Sequence, residues 1–410
     1  MQYRILVYID PGTGSMLFTI LIGVLGALFY FFRGLIMKIR FKMSGGKQSR
    51  DDNALSLVLF ADHKRYWNVF EPVCDELESR GIEAVYMTAS EDDPALSKSY
   101  EHIKTEYIGS GNKAYARLNM LRAKVLVATT PQLDVLQWKR SREVKYYIHI
   151  LHMPNDPTLY RIYALDYFDA VMLSGRYQKD QIRKLERLRN LPEKDIEIVG
   201  IPYMDRIADR VALSNAEGSA PSHKRTVLLA PSWGESGILS KFGSVFIDAL
   251  IGTGYRIIIR PHPQSYTAEK EMIDSLMAQY PDGENISWNR DNDNFFVLKE
   301  SDILISDFSG IFFEYAMAFD KPVIYTETHF DKSPYDAYWL EEEPWTFRIL
   351  PEIGEELNES NFKDIKSLID RCIEEPRFAK GRDKAREETW MYRGEGAKRA
   401  VDFIGKYINM

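Results

Sequence analysis

The stretch Ser301-Asp-Ile-Leu-Ile-Ser-Asp-Phe-Ser-Gly-Ile-Phe-Phe-Glu314 decides how this chain is read. Residues 303–305 form a short apolar run, the pattern of a strand buried on both faces. The run stops at a polar turn, and a new apolar helix begins near Ile311. A strand that turns through Ser309-Gly310 into a helix leaves unpaired backbone N–H groups at the helix start. Those groups and the helix dipole favour an anion. Ser309 suits the N-cap, but a capping box needs Glu or Gln at residue 312, which is Phe. Capping therefore does not account for Glu314. About one turn inside the helix, its carboxylate can accept ribose hydroxyls. The stretch implies a nucleotide-diphosphate site; a plain junction with an exposed glutamate is the simpler alternative.

Outward from this stretch, strand-like and helical runs alternate. In the first half the strand candidates are 55–60, 82–87, 124–128, 145–150, 170–173 and 196–199, with helices at 66–80 and 176–190. Gly81 closes the first helix. After a polar stretch at 211–224, read as an inter-domain linker, the alternation restarts with strands at 226–229, 255–259, 303–305 and 322–325. Helices are expected near 242–251, 267–279 and from 311. Such alternation predicts parallel sheets with right-handed crossovers. The expected fold class is α/β: two Rossmann-like, doubly wound domains facing a cleft. Their bounds are 51–210 and 225–385, with a C-terminal helix at 386–410.

A length of 410 residues suits two or three domains. A net charge of −7 argues against a nucleic-acid partner. Two cysteines, Cys74 and Cys372, exclude a disulfide framework and a cysteine-based zinc site, and fit a reducing compartment. Residues 16–32 carry no charge, and Arg33 is followed by a further apolar piece at 34–37. Together they give about twenty residues, near the length that spans a bilayer. Lys38, Arg40, Lys42, Lys47 and Arg50 follow this segment, and only Arg4 precedes it. Positive charge on the cytoplasmic side then predicts one N-terminal transmembrane helix in the inner membrane. Residues 1–50 are the anchor and linker, and the remaining domains are cytoplasmic. A cleaved signal peptide fits less well, because the charges lie on the wrong side.

Polar residues cluster at strand ends, where open α/β sheets bind ligands. Arg260-Pro-His-Pro263 follows the strand at 255–259. Prolines on both sides hold the His262 backbone, and Arg260 beside it suits a phosphate. Ala230-Pro-Ser-Trp-Gly-Glu-Ser-Gly237 follows 226–229, with Ser232 and two glycines suited to close backbone approach. His149 and His152 end the strand at 145–150. Three residues apart on an extended chain, they need not share a face; one catalytic and one structural histidine is the better reading. Asp291-Asn-Asp293 has the form of an Asp-x-Asp metal motif in a polar loop, and we assign no metal and no cofactor. The 176–190 helix reads as a solvated, mixed-charge helix. The aromatic loop 329–345 suits either covering the cleft or local packing.

Ala230-Pro-Ser-Trp, Arg260-Pro-His-Pro and Ser301-Asp-Ile-Leu-Ile-Ser-Asp-Phe-Ser309 occur in that order. As an ordered set they resemble the CDP-glycerol:poly(glycerophosphate) glycerophosphotransferase family of teichoic acid synthesis, over roughly residues 120–330. Gly200-Ile-Pro202 with Asp205 resembles that family's Gly-x-Pro-Arg-x-Asp element, and His152 falls where the family has His-Gly. The piece from Ser309-Gly310 to Glu314 also resembles the non-hydrolysing UDP-GlcNAc 2-epimerases. Both resemblances imply a GT-B-like architecture, with an acceptor domain first and a nucleotide-donor domain second. They imply His152 and His262 as catalytic residues. They imply donor binding by Ser232, Arg260, Asp307, Ser309, Gly310 and Glu314. The implied partners are a CDP-polyol or other nucleotide-diphosphate donor, a lipid-linked or polymer acceptor, and the membrane. This chain departs from the family pattern at Met153, Tyr203 and Gly234, where the family has Gly, Arg and Arg. The departures leave two alternatives: a GT-B glycosyltransferase using a nucleotide sugar, or a non-catalytic anchored relative. An epimerase-like isomerase fits a tethered chain less well.

Overall fold

The computed structural model describes residues 54–216, 224–291, 293–307, 310–326 and 331–410. The proposed membrane segment at 16–37 lies outside them. No helix among the described residues is long and apolar enough to cross a membrane.

Residues 55–410 form one compact unit built on two parallel sheets. The first contains β1 (Leu55–Ala61), β2 (Ala84–Thr88), β3 (Ile103–Tyr107), β4 (Ala123–Ala128), β5 (Val144–Ile150), β6 (Ala170–Leu173) and β7 (Asp195–Ile198). Their order across the sheet is β3-β2-β1-β4-β5-β6-β7. The second contains β8 (Thr226–Leu229), β9 (Arg256–Ile259), β10 (Ile286–Trp288), β11 (Ile303–Ser306), β12 (Val323–Thr326) and β13 (Gly354–Leu357), in the order β10-β9-β8-β11-β12-β13. The central strands β8 and β11 are buried at every residue, as continuous apolar runs covered by helices on both faces should be.

β3, β10 and β13 lie at or next to sheet edges and carry polar residues, so their periodicity is weak in the sequence. The expected linker at 211–224 is partly helix: a helix starting at Pro202 runs to Ala216. Proline at its first turn costs no hydrogen bond, and half-buried Val211 packs it on the core. The chain after the second sheet returns to the first. The helix Gly396–Asn409 packs against β4 and the helix Trp67–Ser79. Tyr407 Oη donates to Asp195 at 2.8 Å. Gly200, with φ of 91°, lets this return pass closely: a Cβ there would sit 2.4 Å from the Met391 carbonyl. Asp205 fixes the same crossing by accepting from Trp390 Nε1 at 2.8 Å and the Gly396 amide at 3.0 Å. One apolar cluster runs through both halves, joining Leu57 and Val125 to Leu228, Leu304 and Phe312.

Candidate functional site

Strand order reverses between β1 and β4 in the first sheet and between β8 and β11 in the second. In open α/β sheets, ligands bind outside the carboxyl ends of the strands at such points. The two reversal points face one another. A Cβ on Gly310, just after β11, would lie 3.5 Å from Cε of Met153, just after β5. Between the halves lies a cavity of about 870 Å³, lined by Arg65 and Tyr203 from one side and by Arg260, Asn294 and Glu314 from the other. That volume is in the range of sites that enclose a small ligand.

His152 sits in the turn after β5. Its Nδ1 lies 2.9 Å from the Tyr160 hydroxyl, and its ring lies 4.8 Å from that of Tyr66. Burial pulls its pKa down to about 4; the nearby Arg65 guanidinium acts in the same direction, and the Thr129 carbonyl opposes them. The imidazole is therefore neutral at physiological pH, as a base must be. His149 is fully buried, edge-on to Phe168 and Tyr160.

His262 is held as its flanking prolines predict. Its Nδ1 accepts from the Gln264 amide at 3.1 Å. That bond assigns the proton to Nε2, which is left to donate outward. Its pKa is lowered, first by burial and then by Arg65. Arg260 is fixed by the Asn289 side chain and by the Asp291 carbonyl at 2.8 Å. Asp293 pairs with Arg210 at 2.6 Å. Asn289, Asp291 and Asp293 therefore brace the two arginines.

Glu314 opens a π-helical turn, Glu314–Ala318, that continues the short helix Ile311–Phe313. Such turns recur at functional sites. Burial raises its pKa to about 7, opposed by a hydrogen bond with Asn294. Burial, and after it the Glu314 carboxylate, raises the pKa of Tyr203 beside it.

Asp307 braces the neighbouring loop. It is buried, and both carboxylate oxygens accept backbone amides of the next loop, Ser232 at 2.7 Å and Ile238 at 3.0 Å. It holds the 230–238 loop, with Ser232 in it, against the end of β11. Glu269 holds the same loop from the other side, accepting from Gly234 at 3.0 Å and Ser240 at 2.7 Å. Ser309 lies outside the described residues.

The strand-end signal that found His262 also marks residues the sequence reading passed over. Asp62-His-Lys-Arg65-Tyr66 directly follows the apolar run of β1. Tyr160, which holds His152, shows no pattern in sequence; only the fold brings it there. Asp156 is hidden in the same way. From the loop after β5 it accepts the amides of Trp345 at 2.8 Å and Thr346 at 2.7 Å, capping the helix Trp345–Ile353 of the other half.

Among solved structures, the chain is similar to the wall teichoic acid polymerase TagF soaked with CDPG: TM-score 0.56 at 17% identity, covering 92% of this chain and 97% of that one. It is similar to UDP-GlcNAc 2-epimerase from Neisseria meningitidis, with TM-score 0.53 at 15% identity over 85% of this chain and 99% of that one. It is also similar to a glycosyltransferase from Rickettsia africae, with TM-score 0.50 at 14% identity over 87% and 99%. At these identities the likeness establishes the fold, α/β and GT-B-like. No curated protein matches the chain by sequence. The model of the CDP-glycerol:poly(glycerophosphate) glycerophosphotransferase family matches residues 56–338, well over half of the chain. The chain thus belongs to the CDP-glycerol:poly(glycerophosphate) glycerophosphotransferase family, as a glycerophosphotransferase-like transferase.

Proposed function

We propose that the chain transfers a polyol phosphate, most simply glycerol phosphate, from a CDP-activated donor to a lipid-linked or polymer acceptor. The observation that carries this reading is the cavity between the two strand-order reversals, with Arg65 and Arg260 for a diphosphate and Glu314 for a ribose. The diphosphate would lie by Gly310 and Ser309 at the start of the helix, with the 230–238 loop and Ser232 beside it. His262, through Nε2–H, and Arg260 would bear on the transferring β-phosphoryl group. His152 would be the general base. In the tautomer protonated at Nδ1, which sits 2.9 Å from the Tyr160 oxygen, Nε2 would hold the lone pair that takes the acceptor proton. The acceptor oxygen forms a bond to the β-phosphorus. The bond from that phosphorus to the bridging oxygen breaks, and its electrons leave with CMP. Catalysis of this kind rests on positioning and charge stabilisation.

The segment 16–37 would anchor the enzyme in the inner membrane beside a lipid-linked acceptor, with the catalytic domains in the cytoplasm. One observation favours a second reading, a GT-B glycosyltransferase using a nucleotide sugar. Two positions that are arginine in the family pattern are Tyr203 and Gly234 here. A thermal-shift panel separates the two, since a ligand that binds the folded state raises the unfolding temperature. CDP-glycerol or CDP-ribitol should stabilise the protein more than UDP- or GDP-sugars do. The reverse order would transfer the assignment to a glycosyltransferase.

A further inference from the structure

The cavity between the halves is lined by six cations, and their partners differ. Lys64 pairs with Asp92 and Arg206 with Asp75. Lys98 pairs with Glu71 at 2.5 Å, and Arg210 with Asp293 at 2.6 Å. Arg260 is bound by Asn289 and the Asp291 carbonyl. Arg65 makes no ion pair among the described residues. Its guanidinium instead lies over the Tyr66 ring, 4.8 Å from the centroid, and that ring in turn packs on His152.

The turn that carries Arg65 is built rather than loose. His63 Nδ1 accepts the Arg65 amide at 3.2 Å, and Ser90 Oγ accepts the Lys64 amide at 2.9 Å. The turn leaves β1 at the strand-order reversal, where ligands bind in such sheets. An exposed arginine there without an ion-paired carboxylate, hydrogen-bonded to the Tyr66 side chain, keeps further donors of its fork for an anion. Planar, bidentate recognition of phosphate is what that fork does best.

We propose that Arg65 is a catalytic residue that binds the phosphoryl group in transfer, reaching across the cleft from the acceptor half to complete a clamp with Arg260 and His262. The assignment rests on the transferase reading above. It also replaces charge that the chain lacks at Tyr203 and Gly234. Arg65 lowers the proton affinity of both His152 and His262, so it stands near both. A bound diphosphate would cancel that influence and raise the basicity of His152 when the donor is in place. The other groups facing His152 are Tyr66, Tyr160 and His149; those facing His262 are Asp307 and Glu269. Asp62 also feels Arg65, which favours its charged form against the burial that raises its pKa.

The test uses the full chain with Arg65→Ala and Arg65→Lys. Both should fold, since the side chain is exposed. Inorganic pyrophosphate is the probe for binding. Arg65→Ala should bind it at least tenfold more weakly than wild type, and Arg65→Lys should recover most of that loss. In CMP release from CDP-glycerol, kcat of Arg65→Ala should fall about 100-fold, the usual effect of losing one charge-stabilising donor. The acid limb of kcat/KM should move to higher pH, because His152 is freed of a neighbouring positive charge. Pyrophosphate binding equal to wild type in Arg65→Ala, or no pyrophosphate binding by wild type, overturns the proposal. So does an unmoved acid limb with wild-type kcat. If wild type binds pyrophosphate through Arg65 yet releases no CMP, the donor assignment falls and the anion site stands.

Discussion

At the residue scale, Glu314 makes the sharpest prediction. Its pKa is raised to about 7 by burial, so the folded protein holds a proton there more tightly than the unfolded chain does. The associated stability is complete below the unfolded value, near 4.5, and is lost as pH rises through about 7. Glu314→Gln should therefore match wild type at pH 4 and exceed it by about 3 kcal/mol at pH 8, as read by denaturant unfolding. The same variant should bind the donor at least tenfold more weakly at pH 8, where wild type presents a carboxylate to the ribose. Equal stability at both pH values would show that the group is not buried against ionisation. Glu314 was legible because it follows a strand–turn–helix junction and is unexplained by capping. His262 was legible because two prolines and an arginine flank it at a strand end. Asp307 belongs to the same motif, and its carboxylate accepts two backbone amides of the neighbouring loop, which spacing alone does not reveal. Tyr160 had no local signal, because what it does depends on a partner eight positions earlier that the chain folds back to meet.

Elements join the two halves through buried carboxylates. Asp156 is fully buried and accepts Trp345 and Thr346 amides, with Thr346 Oγ1 at 2.7 Å as a further donor. It caps a helix of the second half from the loop that carries His152. Asp336 does the converse: it accepts the Tyr163 amide at 2.9 Å and the Ala164 amide at 3.2 Å, and pairs with buried Arg189. These contacts set the loop after β5 and the 331–345 segment as one joint, so the aromatic loop read as either cover or packing supports the joint between halves. Asp156→Ala leaves several buried donors unpaired and should cost about 2–4 kcal/mol. It should also lower kcat more than it weakens nucleotide binding, because it frees the His152 loop and leaves the 310–314 segment in place. Nucleotide affinity lost in step with kcat would mean that the loop acts through the donor site instead. The strands and long helices of this level were visible as periodic runs. The edge strands β3, β10 and β13 were not, because half-exposed edges mix polar with apolar residues, and the end of the helix reaching Ala216 reads as linker because its last turn is polar.

For the whole molecule, two reversals of strand order meet across one cavity, and the C-terminal helix ties the second half back to the first. That arrangement follows from alternating elements, and the alternation was legible throughout. The facing of the halves was legible only as an expectation, since contacts such as Gly310 with Met153 join residues far apart in the chain. The central claim is that one histidine from each half serves a single transfer. The measurement that tests it most directly is CMP release from CDP-glycerol by the protein and by its His152→Ala and His262→Ala variants, at pH 7.5 with a glycerol-phosphate-terminated lipid as acceptor. The account predicts release by wild type and a loss of at least about 100-fold in each variant, with folding unchanged. Wild-type rates in both variants would contradict it.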